Sequence, residues 1–310
     1  MAAPTSAGPK LSIGLPVYNG ERYLREVLDA ILAQTFEDYE LVISDNASTD
    51  GTAEICQEYA GRDKRIRYLR NEKNLGAAKN FSRVFELSTA PYFKWAAFDD
   101  LIAPEFLERC LETVVGDPEA VLAYARARYI DHEGRIIEGG EEGPLRHVDW
   151  RPKARDRFRQ LLDGFGGDGG ASAPMFMFGV IRADLLRRTR LFGGYFSSDC
   201  VLLSELILLG KFIEVPEYLL FIRLHPGSSS WAPNWSPESL QEFLDPGPKR
   251  RIPLTLMMRR FYLEYFRAVA GSPLKIRDKA TLFLYNTTLP LRRLRKKLGT
   301  KLAQRGFARR

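Results

Sequence analysis

Two adjacent carboxylates, Asp99 and Asp100, follow the apolar run Tyr92-Phe93-Lys94-Trp95-Ala96. The run is short, aromatic and preceded by Pro91, which predicts a buried strand with the two acids just past its carboxyl end. Two carboxylates held together there are costly unless a cation neutralises them. Hard oxygen ligands of this kind suit Mg²⁺ or Mn²⁺, often shared with substrate phosphates. The same residues admit a plainer reading as a helix N-cap, because Asp100 precedes a helix predicted to enter through Pro104-Glu105. Taken alone, the pair leaves both readings open.

The elements that must position the pair can be read from periodicity. A first strand over residues 11–15 breaks at Pro16, and Tyr23, Leu24, Val27, Leu28, Ile31 and Leu32 then recur at helical spacing. A second strand over 41–43 is followed by Asp45. Ser48-Thr49-Asp50-Gly51-Thr52 supplies caps for a helix through about Tyr59. A third strand spans 66–69, and a helix from Gly76 to Leu87 carries Phe81, Val84 and Phe85. With the strand before Asp99, this β-α-β-α-β-α-β alternation predicts an α/β fold, a mostly parallel central sheet flanked by helices on both faces. Ligands of such sheets sit beyond the carboxyl ends of the strands, where Tyr18-Asn19, Asp45 and Asp99-Asp100 all fall.

After Pro118 the pattern changes. Residues 121–125 read as a strand and Asp131-His132-Glu133-Gly134 as a hairpin turn, followed by a polar, Gly-rich stretch over 138–152. The glycine cluster at 164–170 lacks the Lys-Ser/Thr that grips phosphate and reads as a flexible loop. Residues 175–180 are expected to form a buried strand. A helix is expected over 199–209, with Val201, Leu202, Leu206 and Leu209 inward, and separate strands at 212–215 and 219–224. There is no internal repeat.

The 310 residues, 45% of them hydrophobic, suffice for one large domain or two. No apolar stretch reaches the ~18–20 residues of a membrane span. The first ten residues lack an apolar signal core and read as a loose tail, so a cytoplasmic protein is expected. Cys56, Cys110 and Cys200 are odd in number and widely spaced, which fits reduced thiols and no zinc site. The net charge of +7 is uneven: residues 275–310 hold 12 Lys/Arg and one acid, or +11, leaving −4 elsewhere. A mildly acidic body argues against a nucleic-acid groove.

The segments Leu15-Pro16-Val17-Tyr18-Asn19-Gly20, Gln34-Thr35-Phe36-Glu37-Asp38-Tyr39-Glu40-Leu41 and Asp45-Asn46-Ala47-Ser48-Thr49-Asp50 resemble family 2 glycosyltransferases of the GT-A fold. Asn74-Leu75-Gly76, Phe98-Asp99-Asp100 and Arg223-Leu224-His225-Pro226-Gly227-Ser228 are similar to the same family, in the same order. The resemblance runs from about residue 10 to 230, is most specific before residue 110, and does not reach the last 80 residues. It implies an inverting enzyme that takes a nucleoside-diphosphate-sugar donor and a hydroxyl-bearing acceptor: a glycan, a lipid-linked intermediate or a small molecule. By that resemblance Pro16, Tyr18 and Asn19 pack around the base and ribose, and Asn74 and Gly76 also belong to the nucleotide-sugar site. Asp45 accepts a hydrogen bond from the base, with an Asx-turn as its structural alternative.

Asp99 and Asp100 match the family's metal motif, with Ala97 where a fuller version carries a further acid. The alignment makes Asp100 the main ligand of Mg²⁺ or Mn²⁺ and sets Asp99 near the ribose or the metal's waters. Asp199 matches the catalytic base, with an N-cap as its alternative. His225 matches a late histidine that approaches the metal or diphosphate, against a structural role beside Pro226, and Arg223 could bind diphosphate. His132 and His147 read as surface residues. Trp231 and Trp235 read as packing of a Pro-rich loop rather than a sugar platform.

The expected organisation is a tail over 1–9 and a GT-A domain over 10–230. That domain divides into a nucleotide-sugar half (10–117) and an acceptor half (118–230), and a C-terminal extension follows over 231–310. Within the extension, Pro290-Leu291-Arg292-Arg293-Leu294-Arg295-Lys296-Lys297-Leu298 sets leucines opposite a basic face, the pattern of an interfacial helix on the anionic inner membrane face. A solvated cationic tail is the alternative. Two rival functions are a catalytically inactive GT-A-like binding or membrane-adaptor protein, which the missing acid at Ala97 keeps open, and a nucleotidyltransferase. The latter prefers a Gly-rich basic loop after its first strand, and residues 15–19 offer none.

Overall fold

A computed structural model describes residues 8–141, 153–164, 173–227, 237–244, 246 and 253–307. The four strands and three helices of the first half form where periodicity places them. Strands β1 (Leu11–Val17), β2 (Tyr39–Asp45), β3 (Ile66–Arg70) and β4 (Tyr92–Trp95) alternate with helices α1 (Glu21–Leu32), α2 (Thr52–Arg62) and α3 (Ala77–Glu86). The strands are parallel, in the order β3-β2-β1-β4. β1 and β2 are buried at every position, as strands covered by helices on both faces must be. β1 runs through Pro16 to Val17, because a missing N–H near the end of a strand removes little of the ladder.

The second half adds β5 (Leu101–Ile102), α4 (Phe106–Gly116), β6 (Ala120–Ile130), β7 (Ile136–Glu141), α5 (Ala154–Gly164), β8 (Val180–Arg182), α6 (Ala183–Leu186), α7 (Ser198–Leu209) and β9 (Lys211–Arg223). The sheet continues from β4 as β8-β6-β9-β5, with β7 beside β6 through the expected hairpin turn at Asp131–Gly134. β8 is antiparallel to both β4 and β6, whereas β9 is parallel to β6. The sheet is therefore parallel in its first half and mixed in its second. Beyond β9 lie α8 (Pro237–Leu244), α9 (Leu254–Gly271) and α10 (Ile276–Phe307).

Several expectations for the second half need correction. Residues Ala173–Phe178 form a 3₁₀ helix rather than a strand, and only Val180–Arg182 joins the sheet. A short apolar run does not distinguish a strand from a buried helical turn. Gly179 lets the chain cross β6 closely, since a Cβ there would lie 2.2 Å from the Ala123 carbonyl oxygen. The two strands expected over 212–215 and 219–224 are one, β9, whose register against β6 slips beside Pro216. Helix α7 is buried almost all round, with Leu203, Ile207 and Leu208 enclosed as well, because α5 and α9 cover the face expected to be wet. The glycine cluster beyond Gly164, most of the 138–152 stretch, His147, Trp231 and Trp235 lie outside the described residues.

Two cores result. One fills the sheet face under α1, α2 and α4. The other joins α3 and α7 on the opposite face with Phe261, Tyr265 and Val269 of α9 and Leu282, Tyr285 and Leu289 of α10. The basic C-terminal helix thus begins at Ile276, well before Pro290, and its first half is packed into the second core. Among the described residues no helix is long and apolar enough to cross a membrane.

Trp95 anchors the second core beneath the Asp99-Asp100 turn. Its ring meets Phe93 and Phe192 edge-on at 4.8 and 5.1 Å, and its Nε1–H donates to the Phe81 carbonyl at 2.9 Å. Trp95→Ala should cost about 3–5 kcal/mol, read from the urea midpoint. A loss below about 1 kcal/mol would show that the neighbouring aromatics close the gap.

Candidate active site

Three loops leave the carboxyl edge of the parallel strands and are bonded to one another. Asn19 adopts the left-handed conformation (φ 51°), which frees its backbone N–H to donate to Ser48 Oγ at 2.9 Å. Its Oδ1 accepts from the Thr49 N–H at 2.8 Å, and the Gly20 N–H donates to Thr52 Oγ1. Tyr18, 43% exposed, is the side chain of this loop that remains open, while Pro16 is buried in β1. Asp45 is fully buried. Its Oδ1 accepts from the Ser48 N–H at 2.8 Å, three residues on rather than the two of an Asx-turn, and its Oδ2 accepts from Tyr68 Oη and Arg70 Nη1, both at 3.0 Å. Asp45 is therefore held by its own loop, though not through the expected Asx-turn, and a ligand donor would compete with Tyr68 and Arg70.

The next loop is held by side-chain amides. Asn74 Oδ1 accepts from Asn46 Nδ2 and from the Gly76 N–H, each at 2.8 Å, while Asn46 Oδ1 accepts from the Leu75 N–H. Gly76 has φ +83°, and a Cβ there would stand 2.4 Å from the Leu244 carbonyl oxygen. Both conditions exclude a larger residue.

At Asp100 the helix-cap reading fails. β5 intervenes, α4 begins at Phe106, and Glu105 occupies the cap position. Instead, Asp100 Oδ1 accepts from the Arg223 backbone N–H at 2.9 Å. Burial first, and then the charge of Asp99, hold the Asp100 carboxyl well above the usual carboxylate range. Asp99 faces His225, with Oδ2 3.0 Å from Nε2. His225 Nδ1 accepts from the Gly227 N–H at 3.2 Å, so the neutral ring carries its proton on Nε2 and donates it to Asp99.

Arg223 does not offer its guanidinium to a ligand, as the sequence had suggested. It is 0% exposed. Its Nε donates to the Asp99 carbonyl at 2.9 Å, Nη1 to the His132 carbonyl at 3.3 Å and Nη2 to Glu26 Oε2 at 2.7 Å. The Tyr23 ring lies 4.6 Å from the guanidinium and 4.8 Å from the His225 ring. Arg223 therefore sits under the site and holds it together. Tyr23 and Glu26 do the same from α1; helical spacing marks Tyr23 only as part of an apolar face and gives no signal for Glu26.

Asp199 lies in the first turn of α7, one residue inside the helix, and Ser197 (φ 54°) holds the cap position. Its carboxylate accepts from backbone N–H groups of its own turn and from Cys200, but burial dominates and pushes its pKa up. α7 ends at Leu209 and delivers the chain to the amino end of β9, so its first turn points toward the opposite edge, where Asp99 and Asp45 lie.

The residues present suit a divalent cation shared with a ligand. Among the described residues no three His, Cys, Asp or Glu side chains converge as a cage. Asp99 Oδ2 and His225 Nε2 are hydrogen-bonded at 3.0 Å, so both become ligands only when Nε2 has lost the proton it donates to Asp99, with the ring proton on Nδ1 in place of the Gly227 bond. An imidazole beside a carboxylate favours Mn²⁺ over Mg²⁺.

The pattern that defines glycosyl transferase family 2 matches residues 12–182, more than half of the 310. The chain belongs to that family. An Escherichia coli chondroitin synthase is 32% identical over 137 residues, which cover 44% of this chain and 20% of that protein. Three further glycosyltransferase relatives are likewise covered over less than half their length. S. aureus TarS in complex with UDP-GlcNAc superposes with a TM-score of 0.63 at 17% identity, covering 90% of this chain and 72% of that one. A Pyrobaculum calidifontis mannosyltransferase in complex with GDP-Man and Mn²⁺ gives 0.52 at 16% identity, covering 92% and 81%. At such identities the likeness is one of fold: this family member has the GT-A architecture.

Arg223→Met leaves the Asp99 and His132 carbonyls and the Glu26 carboxylate without their donor and should cost at least about 3 kcal/mol in urea unfolding. Glu26→Gln, at a half-exposed position, should cost about 1 kcal/mol or less. Equal small losses would show that the Arg223 network is dispensable.

Proposed function

We propose that this chain is an inverting glycosyltransferase that moves a sugar from a nucleoside diphosphate to an acceptor hydroxyl. The observation that carries the proposal is the Asp99–His225 pair at the carboxyl edge of four parallel strands, in a member of this family. The nucleotide sugars in the TarS and mannosyltransferase complexes support a donor of that class. In this reading residues 10–117 receive the donor, with Tyr18 and the Asn19 turn beside the base and ribose and with Asp45, Asn74 and Gly76 shaping the same pocket. Residues 118–230 receive the acceptor.

Asp99 and His225 are the groups that would hold the cation, which inverts their weight relative to the sequence alignment. Asp100, fixed by the Arg223 N–H, orients the turn from beneath. When bound, a divalent cation would offset the charge of the diphosphate and make it a better leaving group. Asp199 takes the proton of the acceptor hydroxyl as its oxygen bonds to the anomeric carbon on the face opposite the departing diphosphate. Configuration therefore inverts, and the proton passes from Asp199 to solvent. A carboxylate whose pKa burial raises is a stronger base than an ordinary one.

Turnover of a nucleotide-sugar panel with Mn²⁺, read as released nucleoside diphosphate, tests this. Asp99→Ala and Asp199→Asn should each lower turnover by about 10²-fold or more. Asp199→Asn should also raise stability at neutral pH. With the folded pKa above the unfolded value, the ionised carboxylate destabilises the fold once pH exceeds the unfolded value, near 4. The gain of the variant should vanish below that pH. A protein that neither binds nor turns over any donor would be an inactive relative.

The basic end of α10 supports a further part of the proposal, attachment to an anionic, cytosolic membrane face. Removing residues 293–310 leaves the packed Leu289 in place and should abolish salt-sensitive cosedimentation with phosphatidylserine vesicles. Retained binding would overturn the attachment.

A further inference from the structure

Lys94 lies in β4 between Phe93 and Trp95 and is only 1% exposed. Its Nζ donates to the carbonyl oxygens of Trp95 and Phe178, each at 2.9 Å, and rests 4.5 Å from the Phe106 ring centre. An ammonium has three N–H groups. Two of them are matched, and Lys94 also lines a cavity with Asp100, Ala97 and Leu220 that has room for about one water molecule.

We propose that Lys94 is a positioning residue for the Asp99-Asp100 turn, a fixed counter-charge that meets Asp100 through a water in their shared cavity. The inference rests on the glycosyltransferase reading of the site. Through Phe178 the same ammonium ties the 3₁₀ segment of the second half to the strand that carries the acids. Packing does not account for it, because a methionine would fill the chamber without burying a charge.

Burial draws the lysine down to about 8 from its ordinary value. The groups around it are few. Asp100 faces it across the cavity, and Cys110 of α4 stays a neutral thiol because burial pushes it up to about 12. Val27 and Ile31 of α1, Phe106 of α4, the Phe178 carbonyl and Leu220 of β9 carry no charge.

Calorimetric binding of the Mn²⁺ complexes of UDP and GDP tests the role. Lys94→Met should keep the wild-type fold, with an equal or higher thermal midpoint, yet bind about tenfold more weakly at pH 7. Wild-type affinity should fall as pH rises through about 8, while the affinity of Lys94→Met stays level. Wild-type affinity in folded Lys94→Met or Lys94→Gln would overturn the inference. So would failure of both variants to fold, which would make Lys94 a structural staple. Absence of any wild-type binding would overturn the donor reading and this one with it, whereas unchanged variants overturn this one alone.

Discussion

A guanidinium is kept in a protein interior only where its donors are matched, and Arg223 meets that condition by gathering three separate stretches of chain. It holds the carbonyl of Asp99 after β4, the carbonyl of His132 in the β6–β7 turn and the carboxylate of Glu26 on α1, while its own N–H fixes Asp100. These stretches come from both halves of the sheet, and β9 delivers the arginine because its slip beside Pro216 carries the strand on past β5 to the carboxyl edge. His225 follows two residues later and so arrives at Asp99 with little freedom left. The site is thus precise because a single buried cation is over-determined, and not because the acids attract one another.

The first half of the fold was legible because its signals are strictly local. Helical spacing from Tyr23 to Ile31 and the buried runs of β1 and β2 need no knowledge of distant partners. The second half was less so, since its elements are decided by what covers them. Residues 175–178 are as apolar as a core strand and form a 3₁₀ helix, and α7 is enclosed by helices nearly fifty residues away in either direction. Among site residues, the positions of Asp99 and Asp45 at one edge follow from the order of the strands, whereas His225 is indicated only by the family resemblance. The task of Arg223 could not, because an arginine near the end of a strand looks the same in sequence whether it is wet or fully enclosed. Lys94 did leave a trace, as a charge inside an otherwise apolar strand.

The buried charges of this chain fall into two kinds, and the difference separates architecture from site. Glu40 is matched by Ser12, Thr89 and Arg67, and Glu264 by Arg190 and Arg267. Such groups are held within the protein, and their removal is a matter of stability. Lys94, Asp100 and Asp199 are different. Each has bonds to backbone groups, and burial displaces the pKa of each toward its neutral form. A fold selected for stability alone would fill these places with apolar side chains. Lys94 and Asp100 meet at one cavity, and Asp199 opens the helix that points toward the same edge. The local rules of burial are therefore broken at Lys94 and Asp100 beside the Asp99–His225 pair, where, on the proposed donor reading, an incoming anion and its cation would supply the charges that these groups lack.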